Sequence, residues 1–274
     1  MEKTPEVPKA KYAVIGGSST YSLEFPEDVG YPGVEVLEKG LVFETPFGES
    51  PAFTLFRVGD KKALSCKMHG WRAGVLRAIA SKQIFWVLRD AGVERVLGEG
   101  GVGAIDPKLE LRDILIPDDY IDFSQRKDVS LESDYLLVMR DALCEEERTA
   151  LLEAARSIAI GRVFERGVYA VTEGRHFESP AEVRMLRLLG ADVVGQSLAP
   201  EVYLAREIGA CYGSVQIVVN YAEGVVEEWS HQELAEIFFG EAGTMGRILL
   251  EALDALPSAR GCRCAELRKP TLLR

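Results

Sequence analysis

The residues whose types and spacing could do chemistry gather in 168–204, where two polar loops follow two apolar runs. The first loop ends in Phe177-Glu178, an aromatic ring beside an acceptor-only carboxylate. The second is Gln196-Ser197, just ahead of a Pro200-Glu201 helix start. Read from the residues alone, Glu178 before Ser179-Pro180 is a helix-start carboxylate favoured by the helix dipole. Near the N-terminus, Gly16-Gly17-Ser18-Ser19 forms a turn whose backbone amides could face an anion.

The elements that must position these groups follow from periodicity. The β-branched run Val168–Thr172 reads as a buried strand ending at Glu173-Gly174. Ser179, with Pro180 next and Glu182 three residues on, predicts a capping box and a helix that stops near Gly190. A strand at Asp192–Gly195 and another helix complete a strand, loop, helix, strand, loop, helix order, and α/β folds bind ligands at such strand ends. Upstream, Tyr12–Ile15 is a strand, 22–52 a loop with short strands, and Phe53–Val58 with Ala63–Cys66 a hairpin turning on Gly59-Asp60. Leu76, Ala80, Ile84, Val87, Leu88 and Ala91 predict a helix over 74–91 closed by Gly92. Further strands are expected at Arg95–Leu97, Asp113–Ile116 and Tyr212–Tyr221, with helices over Glu145–Ile160 and, in one piece, about Ser230 to Leu256. Residues 1–11, charged and holding two prolines, read as a flexible arm ahead of one domain spanning 12–274.

Several segments together resemble the purine nucleoside phosphorylase and methylthioadenosine phosphorylase family. They are Glu173-Gly174 with Phe177-Glu178-Ser179 and Ala181-Glu182, then LGADVVGQSLAPEV over 189–202, and Val218-Val219-Asn220-Tyr221. Ala13–Ser18, Thr45–Gly48, Asp113–Asp122 and Cys144–Ala155 extend the likeness over most of the chain. It implies a single α/β domain with a central mixed sheet flanked by helices, and a homotrimer. It also implies phosphorolysis of a nucleoside without a cofactor, inorganic phosphate being the co-substrate. Asn220 would stabilise the departing base, donating to N7, and Glu178 would accept the N1–H of a 6-oxopurine, a group adenine lacks. Phe177 would stack on the base. Ser18, His69, Arg72, Gly101 and Ser197 would hold phosphate. Gln196, in place of a methionine of relatives, and His231 would meet the sugar, although His231 reads equally as a plain helix start. The 5′ substituent, hydroxyl or methylthio, stays open.

The sequence departs from the family pattern at the anion site. Met68 and Ala73 stand where relatives carry phosphate-gripping side chains, and Glu99 aims a carboxylate at that region unless it turns away or pairs with Arg72. The positive charge there would come from Lys67, Arg72 or His69, and Arg72, suited to forked contact with phosphate, is expected to supply it between Ser18, Gly101 and Ser197. Two rival readings follow: a purine-nucleoside binder, or a hydrolytic nucleosidase that has lost efficient phosphate use. A methylthioadenosine phosphorylase is a third.

Composition narrows the classes. A net charge of −11 without a basic run argues against nucleic acid. The absence of a long apolar run or a signal-peptide core predicts a cytoplasmic protein with no membrane partner. With 47% hydrophobic residues, 274 residues fit one large domain. Asparagine occurs once, as Asn220, and glutamine five times, the amide depletion of thermophiles. The five cysteines offer no metal-ligand pair with histidines at useful spacing, so no metal is expected, and Cys262-x-Cys264 reads as an exposed tail feature.

Overall fold

The computed structural model describes residues 6–226 and 230–272. Eleven strands form one mixed sheet. In chain order they are β1 (Tyr12–Ile15), β2 (Val34–Leu41), β3 (Phe53–Val58), β4 (Lys61–Cys66), β5 (Arg95–Ala104), β6 (Ile114–Leu115), β7 (Asp119–Asp122), β8 (Val163–Phe164), β9 (Val168–Val171), β10 (Val193–Gly195) and β11 (Cys211–Tyr221). The main order is β8-β6-β11-β5-β1-β4-β3-β2, while β7 and β9 continue from β10.

The organising strand is β5. It is parallel to β1 on one side and to β11 on the other, and its last residues also pair antiparallel with β10. Both sheet faces are covered, so the strands alternate between two cores. Ala13 and Ile15 point to one, with Phe85 and Leu88 of α1 (Arg77–Ala91) and Val202 of α4 (Leu198–Ile208). Tyr12 and Val14 point to the other, with Leu151 of α2 (Glu145–Ile158) and Leu249 of α6 (Ala242–Ala255). The smaller α3 (Pro180–Leu188) packs Val183 and Leu186 over Ala170 and Val194. This is the α/β architecture, a mixed sheet with flanking helices, that the family resemblance implied. Among the described residues, no helix is long and apolar enough to cross a membrane.

Local signals placed most elements. Ser179 accepts from the Glu182 N–H and the Glu182 carboxylate accepts from the Ser179 N–H, completing the capping box. Gly92 closes α1 at φ 80°, where a side chain would be strained. Three expectations change. The C-terminal helix is two helices, α5 (His231–Gly240) and α6, broken at Glu241, whose backbone departs from helical values at φ −98° and ψ 1° and whose carboxylate lies 3.4 Å from Arg112 Nε. Of the arm, residues 1–5 lie outside the described residues, but Val7 and Ala10 are buried and the Ala10 N–H donates to Ala91 O. Nor is Cys264 in an exposed tail: it is buried against Cys144 and Cys211.

Candidate functional site

A cavity of about 410 Å³ opens where the parallel strands end. Its floor is the Gly100-Gly101…Gly103 stretch of β5. Glycine is required there by space: a Cβ on Gly101 would stand 2.5 Å from the Phe238 ring, and one on Gly17 would stand 2.4 Å from Glu99 O. Backbone replaces side chain at the floor.

At Gly101 the donors of an anion end converge. Gly101 N–H donates to Ser18 Oγ at 3.3 Å. Ser197, at the N-terminus of α4, is held by the Tyr169 hydroxyl at 3.4 Å and lies beside Gly100. His69 follows in a turn whose residues Met68, His69 and Gly70 all have positive φ, near 50°, 51° and 68°. Two non-glycine residues held there store strain, about 1–3 kcal/mol each, as functional sites often do. The His69 N–H to Gly16 O bond helps to impose it. His69 Nδ1 lies 2.8 Å from Glu201 Oε1, and Tyr212 OH donates to the other carboxylate oxygen at 2.8 Å. A carboxylate only accepts, so Nδ1 carries the hydrogen and Nε2 is left for a ligand.

Two steps along β5, about 7 Å away, lies a second end. A bulge between Val218 and Asn220 in the β11–β5 pairing brings Asn220 opposite Gly103. Asn220 Nδ2 donates one hydrogen to Tyr221 O at 2.9 Å, which fixes the amide and leaves the second hydrogen available. Glu178, buried, accepts from Thr172 Oγ1 at 2.6 Å through one oxygen. Val194, Val219, Ala222, Leu234 and Phe238 make the wall apolar. Phe177 is 47% exposed at the rim, its ring 6.1 Å from that of His231 at the start of α5.

Of the residues singled out from the sequence, Ser18, His69, Gly101, Phe177, Glu178, Gln196, Ser197 and Asn220 all line this one cavity, and His231 stands beside it through Phe177. Arg72 does not. Its guanidinium donates to Gly70 O at 3.0 Å, to Gln83 Oε1 at 2.8 Å and to Glu49 O, on another face of the same turn. The backbone returns to an extended conformation at Trp71 after the left-handed turn, and that sends Arg72 outward while Trp71 turns in. Lys67 is spent on Glu24, 2.7 Å away. Glu99 neither pairs with Arg72 nor enters the cavity. It lies fully buried beneath the Gly16–Thr20 turn, accepting from the N–H of Gly17, from Thr20 N at 3.2 Å and from Thr20 Oγ1 at 2.7 Å.

Arg77 was missed by the sequence reading. It lines the cavity from the first turn of α1, lies 3.9 Å over the Trp71 ring, and donates to Glu173 O at 2.7 Å and Gln196 Oε1 at 2.8 Å. Burial, then the neighbouring Arg126, holds its pKa below the usual arginine range; Arg175 adds to this and Glu173 opposes it. A cation in the first turn, against the helix dipole and with no acidic residue there, was the available signal. Glu201 was also missed, because a glutamate after Ala-Pro reads as an ordinary helix-start acid.

A family model described as "Phosphorylase superfamily" matches residues 11–254. The chain belongs to the phosphorylase superfamily. The 6-oxopurine nucleoside phosphorylase of Pyrococcus furiosus is 31% identical over 94% of this chain and 98% of its own. The S-methyl-5′-thioadenosine phosphorylase of Pyrococcus horikoshii is 30% identical over 94% and 98%. The fold is also that of methylthioadenosine phosphorylase from Schistosoma mansoni in complex with adenine, with a TM-score of 0.79 over 93% of this chain and 94% of that one at 23% identity. As a phosphorylase the protein is a pentosyl-transferring enzyme acting on purine or methylthio nucleosides, with phosphate as co-substrate.

Proposed function

We propose that the enzyme cleaves a 6-oxopurine nucleoside, such as inosine, guanosine or 5′-methylthioinosine, to the free base and the sugar 1-phosphate. The observation that carries this reading is the pairing of Glu178 and Asn220 on the walls of the cavity that also holds Ser18, His69, Gly101 and Ser197. A 6-oxopurine presents N1–H, which the free oxygen of Glu178 accepts; adenine presents a lone pair there and would meet repulsion. Phosphate attacks C1′ from the Gly101 end as the glycosidic bond breaks and its electron pair moves to the purine. The free Nδ2 hydrogen of Asn220 donates to N7 as that charge develops, which is where a hydrogen bond accelerates the reaction. Phe177 covers the base, Gln196 lies under the sugar, and His231 closes the rim.

Phosphate is held by Ser18, the Gly101 amide, Ser197 and His69 Nε2, with Arg77 rather than Arg72 supplying the permanent charge. Arg77 bonds only to neutral oxygens and lies near a second guanidinium. Glu173 offsets part of its charge, and an anion in the cavity would offset more. The protein is also proposed to be a homotrimer, and light scattering giving a monomer would remove that.

The specific observation favouring a second reading, hydrolysis or simple binding, is Glu99. Its carboxylate consumes two backbone N–H groups of the Gly17–Thr20 turn, and Met68 adds no charge. One assay separates the readings: hypoxanthine release from inosine and methylthioinosine with and without phosphate. Phosphorolysis gives release that depends on phosphate, a nucleosidase gives the same release without it, and a binder gives none. Adenine released from methylthioadenosine faster than hypoxanthine from either substrate would overturn the base assignment and favour a methylthioadenosine phosphorylase.

A further inference from the structure

Far from this cavity, four cysteines meet. Cys144 is the N-cap of α2, Cys211 the first residue of β11, and Cys262 and Cys264 belong to the segment that follows α6. Their sulfur atoms all lie within 4.8 Å of one another, and Cys144, Cys211 and Cys264 are buried. Cys66, the fifth cysteine, is not part of the group.

We propose that Cys144, Cys211, Cys262 and Cys264 form a tetrathiolate site for a structural zinc ion. A tetrahedral zinc with Zn–S bonds of about 2.3 Å has sulfurs about 3.8 Å apart, inside the range set here by the 3.2 Å Cys211–Cys262 separation and the 4.8 Å outer limit. Pairwise bridges would need only two sulfurs at a time to approach; convergence of all four on one point is what a four-coordinate metal requires. Soft thiolates in a four-sulfur set select zinc or iron over the hard cations, and of these zinc needs no electron chemistry. Cys144 is the N-cap of α2, so the positive end of a 14-residue helix faces the cluster. Arg95, buried and directly across the sheet from Cys211, adds a guanidinium, itself shared with Glu146 and Glu147. On ligation each thiol loses its proton to solvent, and zinc with four thiolates leaves a net charge of −2, to which these donors are complementary.

The ion would tie the segment after α6 to the sheet. That segment goes on to pair Arg268–Pro270 with Tyr135–Leu137 and to donate from Arg268 to Glu207 O at 2.7 Å. Catalysis would not involve the metal directly, since Cys211 and Asn220 stand at opposite ends of β11, about 30 Å apart at ~3.3 Å per residue.

The test is elemental analysis of the full chain purified from zinc-supplemented medium without chelators, together with the absorption spectrum after exchange into cobalt(II). Stoichiometric zinc and the thiolate-to-cobalt charge-transfer and strong d–d bands of a tetrahedral sulfur site are expected. Cys262→Ser, at the half-exposed ligand, should lower zinc occupancy and the thermal midpoint while leaving kcat unchanged, and Cys66→Ser should retain the metal. Metal-free protein with the four cysteines recovered as disulfide-linked peptides overturns the proposal. So does zinc whose content is the same in the Cys262→Ser and Cys264→Ser variants. If those variants fail to fold, the cobalt spectrum of the unmodified chain still decides.

Discussion

Replacing Arg77 by methionine tests where the anion's charge comes from. Methionine keeps much of the stem that packs beside Trp71 and removes the guanidinium, which donates at 2.7 Å to Glu173 O and 2.8 Å to Gln196 Oε1. A hydrogen bond to a charged partner contributes about 1.5–3 kcal/mol, and ~1.4 kcal/mol is a decade. Loss of one such bond to phosphate should therefore raise the phosphate KM roughly 10- to 100-fold. One of the two bonds to neutral oxygens holds Gln196, so a smaller rise in nucleoside KM, a few-fold, is expected alongside. Steady-state kinetics with phosphate varied at saturating inosine, then the reverse, separates the two. Arg72→Ala is the matched control: it breaks three bonds to neighbouring oxygens outside the cavity, and should lower stability with phosphate KM unchanged. The reasoning fails if Arg77→Met leaves phosphate KM within twofold of the parent, or if Arg72→Ala raises it as much.

Further outcomes follow from the same geometry. Asn220→Asp should shift the ratio of inosine to adenosine turnover toward the 6-aminopurine, because a carboxylate favours an amino donor; an unchanged ratio places selectivity elsewhere. Glu178→Ala removes the acceptor for N1–H and should cost inosine kcat/KM roughly 10- to 100-fold by the same arithmetic, with adenosine turnover unaffected or raised. Glu201→Ala strands His69 and Tyr212 without their buried acceptor and should destabilise the fold by about 3–5 kcal/mol in urea unfolding; a loss below ~1 kcal/mol would mean that the His69 pair is not held as described. Phe85→Ala, at a fully buried position of α1, should cost about 3–5 kcal/mol while leaving substrate KM values alone.

What the sequence by itself determined was local or repeated at a fixed period. The capping box at Ser179 and Glu182, the stop at Gly92 and the short strand at Tyr12–Ile15 depend on neighbours a few residues apart, so they could be read in order. The two ends of the cavity were legible through the family resemblance carried by Phe177-Glu178, Gln196-Ser197 and Val218–Tyr221, short contiguous segments at or just after the ends of strands. Which cations face the cavity was decided only by the folded chain. Arg72 and Arg77 are five residues apart, and a left-handed turn at Met68–Gly70 turns the first outward while the helix start brings the second in. Such a turn at two non-glycine residues is imposed by tertiary contacts, among them the His69 N–H to Gly16 O bond, and leaves no local pattern. The same holds for Glu99, whose donors lie 79 and 82 residues away, and for four cysteines brought together from a helix cap, a strand start and the C-terminal segment. Sequence spacing carries no information about such meetings, because the distance that matters is set by how the sheet is wound.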